Sequence, residues 1–115
     1  MIAKSAAINV YKIILASETI SLQHNILVRK VSSAKSKEEI IPFVEKYFYN
    51  VEELFLLYSK NIKTNFARDY ISSALKDISK ISDDNLGQAK EDAIFALRNL
   101  TSARRILSEF SGEIN

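Results

Sequence analysis

His24 is the one histidine in this chain, and with sixteen Lys and Arg side chains it carries most of the reactive chemistry the sequence offers. There is no cysteine, hence no thiolate nucleophile, no disulfide and no thiolate-bound metal. A di-metal centre in a helical bundle uses Glu-x-x-His pairs, but the residue three before His24 is Ser21. A Ser–His nucleophile pair cannot be singled out among fourteen serines. His24 also falls on an apolar helical stripe, so the expectation is a core or boundary histidine with its hydrogen bonds satisfied.

The acidic residues come as neighbours: Glu38-Glu39, Glu52-Glu53, Asp83-Asp84 and Glu91-Asp92. Adjacent residues on a helix diverge by about 100°, so no pair converges on one proton or one metal. Gly87 and Gly112 stand alone, and no glycine-rich phosphate loop can be built from them. No enzyme activity, cofactor, metal or small-molecule substrate is expected.

Basic residues offer more. Arg29, Lys30, Lys35 and Lys37, interleaved with Ser32, Ser33 and Ser36, make a polar corner able to hold phosphates, and Arg98, Arg104 and Arg105 make a second cluster. The net charge is only +2 and the pI about 8.8, short of the basic stripe usual in nucleic-acid binders. Contact with RNA or DNA through the first corner is the alternative reading, not the favoured one.

Apolar patterning gives the sharper signal. Over residues 2–34, Ile20, His24, Leu27 and Val31 belong to one helix face, while Ile8, Tyr11, Leu15, Leu22 and Ile26 lie nearly opposite. Either this is one long helix held between its own bundle and something else, or it breaks near Ser17–Ser21. No Gly or Pro marks a stop there, and the long helix is expected. Tyr49 and Leu56, seven residues apart, also fall on the polar side of their helix. These seven residues are the candidate protein interface.

The elements that position them follow from the rest of the chain. At 115 residues, 47% hydrophobic and 26% charged, it reads as one soluble globular domain spanning residues 1–115. Two Gly and one Pro are too few for an all-β fold. The expected fold is an all-α antiparallel four-helix bundle, or five helices if residues 2–34 break. Ser36 and Glu39 form a capping box that starts a helix at Lys37, with a short turn or kink expected at Pro42. Residues 42–62 hold six of the eleven aromatics and are expected to form the central helix, with Leu54 and Phe55 fully buried. Thr64 is expected to cap the third helix and Asn85 the fourth, which Gly112 should end.

No uncharged run is long enough to cross a membrane, and no secretory pattern is evident at the N-terminus, so a cytoplasmic location is expected. Fifteen Ile and eleven Lys suggest an AT-rich genome and a thermophilic source, and eight Asn count against the thermophile half of that reading. In architecture such small bundles resemble the HEPN helical domains and the accessory subunits of RNA-guided complexes. The Arg-before-His pattern of HEPN ribonucleases is missing, because no Arg precedes His24. The expected function is a non-catalytic protein–protein interaction or assembly module, self-associating through its N-terminal helix as a homodimer.

Overall fold

The computed structural model describes the backbone of residues 2–58 and 65–114, and the side chains of residues 18–58 and 65–109. Four helices follow one another: α1 (Ile2–Ser33), α2 (Lys37–Tyr58), α3 (Asn65–Ile81) and α4 (Leu86–Ile114). There is no strand among the described residues, and the fold is an all-α four-helix bundle.

Residues 2–33 form one unbroken helix, so Ser17–Ser21 is not a joint. With neither Gly nor Pro in this segment, every residue keeps the N–H its helical bond needs. Helix α2 begins at Lys37 as its capping residues predict, although the pairing is shifted by one residue. The Glu39 carboxylate accepts from the Lys35 N–H at 3.0 Å, and the Ser36 carbonyl accepts from the Glu39 N–H at 3.3 Å. The helix continues through Pro42 without a separate turn. Pro42 frees only the carbonyl of Glu38, an exposed first-turn residue that water can satisfy. At the start of α4 the Asn85 side chain accepts from the Gln88 N–H at 2.8 Å, as expected of a cap. Gly112 does not stop α4, which continues to Ile114 with no glycine at positive φ. The Lys60–Thr64 connection, with its proposed cap, lies outside the described residues.

The central element is α4, not α2. Ala89, Asp92, Ala93, Ala96, Leu97, Leu100, Thr101, Ala103 and Leu107 are all buried. At about 100° per residue they cover roughly half of the helix circumference. Leu54 and Phe55 of α2, expected at the centre, are only partly buried against the core. Size misleads here: alanines let three helices approach one axis closely, whereas bulky aromatics fill the edges between helices.

Cross-links fix the directions. Ser21, Gln23 and His24 of α1 bond Arg105, Arg104 and Thr101 of α4, so α1 and α4 run antiparallel. Lys90 Nζ donates to the Ser32 carbonyl, and Lys37 Nζ to the Ser82 carbonyl, tying the ends of α1–α4 and α2–α3 together. Helix α4 packs against all three others, while α1 barely touches α2. A closed bundle of this topology would pack α1 on α2. Here α2 has slid onto α4, leaving the α1–α2 edge open. The Cα trace measures 56 × 26 × 15 Å, wider than it is thick.

Candidate functional site

Helix α1 presents two different faces. Ile20, Leu27 and Val31 are buried toward α4. On the opposite side Leu22 is 63% exposed and Ile26 44% exposed. These are the two members of the predicted α1 stripe whose side chains are described; Ile8, Tyr11 and Leu15 lie outside the described side chains. On α2, Tyr49 is 57% and Leu56 63% exposed.

The open edge between α1 and α2 forms a groove. Its middle is a cavity of about 410 Å³ lined by Gln23 on one wall and by Asn50, Leu54 and Leu57 on the other. Arg104 and Tyr47 close its floor. It continues toward Lys30, Phe43 and Lys46 at one end and toward Thr19, Tyr58 and Ser108 at the other. Tyr49 and Leu56 are absent from every part of this lining, so the structure does not join them to the α1 face through the groove. They belong to a separate surface of α2.

The basic residues are divided by the fold. Arg104 points into the groove, where it donates to the Gln23 side-chain oxygen and lies 6.0 Å from the Tyr47 ring. Arg98 and Arg105 line a different cavity, between α1 and α4, with His24, Thr101 and Ser102. Of the N-terminal corner, Lys37 is engaged with the Ser82 carbonyl at 2.8 Å. Arg29 and Lys35 are exposed, and Lys30 lines the groove. The four do not converge on one pocket.

His24 is part-buried and hydrogen-bonded, as its stripe position implies. Its Nδ1 lies 2.9 Å from Thr101 Oγ1, which is itself 3.0 Å from the Tyr47 hydroxyl. With the imidazole proton on Nε2, Tyr47 donates to Thr101 and Thr101 donates to His24; with it on Nδ1, Thr101 accepts from both. Burial first, then the guanidinium groups of Arg105 and Arg98, push the imidazole below its ordinary range. A backbone hydrogen bond with Leu97 acts in the other direction.

One convergence was not legible from neighbouring pairs. Asp84, in the loop, folds back toward Asp92, two turns into α4. Hydrogen bonding with Asp92 first, then burial and the charges of Asp92 and Asp83, raise the Asp84 carboxyl above its ordinary value, against the opposing charge of Lys80. Asp92 is buried; its Oδ1 accepts from Gln88 at 3.2 Å, and its Oδ2 has no hydrogen-bond partner among the described residues. The sequence clue is that Asp92 borders the Ala89–Ala93 stripe. No group of three or more His, Cys, Asp or Glu able to hold a metal occurs among the described residues. Nor is any described helix long and apolar enough to cross a membrane.

Compared with protein-family models, with curated proteins and with solved structures, the chain finds no match.

Proposed function

We propose that this protein is a non-catalytic helical interaction module whose copies pair through the outward face of α1, in the cytoplasm. The observation that supports it is the exposure of Leu22 and Ile26 on a helix whose other side, Ile20, Leu27 and Val31, is already committed to α4. In sequence the same stripe continues through Leu15, Tyr11 and Ile8, 18 residues or roughly 27 Å of helix at 1.5 Å per residue. A face of that length left in water is an apolar patch of the kind that marks an interaction site. Pairing with the same stripe of a second copy covers both at once, because a two-fold interface is self-complementary. Arg29, on the same side of α1, sits at the C-terminal end of the stripe rather than within it.

The test is the double substitution Leu22→Glu with Ile26→Glu. Both side chains are exposed, so the variant should keep the parent's helical circular dichroism and elute as a monomer. Loss of helical structure would assign the stripe to the chain's own core. A variant that remains folded and dimeric would place the interface elsewhere.

A further inference from the structure

The cavity between α1 and α4 has a composition that self-association does not explain. It encloses about 270 Å³ and is lined by His24, Arg98, Thr101, Ser102 and Arg105. On α4, Ser102 follows Arg98 by four residues and precedes Arg105 by three, so all three side chains stand on one side of the helix. Two guanidinium groups, each with five donors and a permanent charge, flank a hydroxyl. Buried Thr101 closes the inner side.

Neither arginine is paired with a carboxylate among the described residues. Among the described residues Arg105 donates to the uncharged Ser21 hydroxyl at 2.9 Å, and the Arg98 guanidinium lies 5.9 Å from the Phe95 ring. Both arginines are exposed, so solvent screens their mutual repulsion, and their free donors are available to an anion that enters the cavity. Burial first, and then these same two arginines, lower the His24 imidazole from its ordinary value. Arg104, one residue from Arg105, faces the groove instead, where it donates to Gln23.

We propose that the α1–α4 cavity binds a phosphate oxyanion, with Arg98 and Arg105 donating to its oxygens and Ser102 between them. Planar guanidinium forks match tetrahedral oxyanions with paired hydrogen bonds. The shared chemistry is a doubly charged phosphate group, either free or as the monoester of a small molecule. The residues that hold it are on α4, off the outward face of α1, so this site and the pairing face can be tested separately.

His24 supplies the readout. Its imidazole resonances are followed by NMR across pH with inorganic phosphate, with adenosine monophosphate, or with sodium chloride at matched ionic strength to remove general screening. Phosphate should raise the His24 pKa saturably, because a bound dianion offsets the arginine field. A stronger effect from the nucleotide at equal concentration identifies a monoester as the better source, and an equal or weaker one identifies free phosphate. Arg98→Gln and Arg105→Gln should each weaken the phosphate-dependent shift about tenfold in concentration, the usual scale for one charged hydrogen bond. Ser102→Asp, which puts a carboxylate in the cavity, should abolish the shift and raise the His24 pKa without phosphate. A His24 titration no different in phosphate or the nucleotide than in chloride would overturn the assignment. So would a shift that survives all three substitutions in folded protein.

Discussion

His24 of α1 and Tyr47 of α2 hydrogen-bond the same atom, Thr101 Oγ1 on α4, at 2.9 and 3.0 Å. Two helices that scarcely touch each other are therefore joined through a third. Whether the hydroxyl accepts from both or donates to one of them, the shared oxygen constrains the rotation of α1 and α2 about α4. Replacing Thr101 with Val keeps the shape and removes the oxygen. Thr101→Val should cost about 1–3 kcal/mol in urea unfolding, because it leaves two polar groups without a partner. Tyr47→Phe removes only the outer donor and should cost less, about 0.5–1.5 kcal/mol. Equal, negligible losses would mean that water replaces the relay freely.

The same histidine makes stability depend on pH. Its folded-state pKa lies below the ordinary 6.5, so between those two values the unfolded chain binds more protons than the folded one. Stability is then complete above about 6.5 and falls as pH drops below it, levelling off once the folded form also protonates. His24→Gln should flatten this slope. The measurement is the urea midpoint in chloride buffers from pH 7.5 to 5, and a parent slope unchanged by the substitution would show that other groups cause it.

Asp84 acts with the opposite sign. A carboxyl raised in the folded state gains protons on folding above its ordinary pKa of 3.8, so stability rises as pH falls into that window. The Asp92 Oδ2 is buried without a hydrogen-bond partner among the described residues. Asp92→Asn keeps the Oδ1 that Gln88 donates to and supplies an amide donor toward Asp84. It should raise the melting temperature at pH 7 and lose that advantage as Asp84 becomes protonated. A lower melting temperature at pH 7 would mean that the Asp92 charge is compensated.

Placing α4 at the centre changes which side chains matter most. Leu100 is fully buried and in contact with the core on every side, so Leu100→Ala should cost about 2–5 kcal/mol. Phe55 is partly buried and shares its ring with the Arg68 guanidinium, 5.8 Å from the centroid. Phe55→Ala should therefore cost less than its size suggests, and less than Leu100→Ala. The reverse order in denaturant titrations would restore α2 as the core helix.

The helical class, the start of α2 at Lys37 and the Asn85 cap were legible because each depends on residues close in sequence. So were the two faces of α1, since a period near 3.6 needs no tertiary information. What the sequence concealed was which helix lies at the middle. Hydrophobic bulk drew attention to Phe43–Tyr58, but close approach is governed by the smallest residues, Ala89, Ala93, Ala96 and Ala103. The sliding of α2 onto α4 is a property of all four helices together, and it is this shear that opens the groove. Tyr49 and Leu56 stay on a different surface from Leu22 and Ile26, while Arg104 faces away from Arg98 and Arg105 because helical spacing on α4 turns it by about 100°. Asp84 and Asp92, eight residues apart, meet only because the loop turns back on α4.

Self-association through α1 is tested most directly by the molar mass of the unmodified protein in solution. Light scattering coupled to size exclusion, run over a dilution series at low and high salt, should give about twice the 13.0 kDa chain mass. The mass should fall toward that of one chain only on dilution. An interface of Leu22, Ile26 and their stripe is apolar, so added salt should leave the dimer intact. A mass of 13.0 kDa at every concentration and salt would contradict the account.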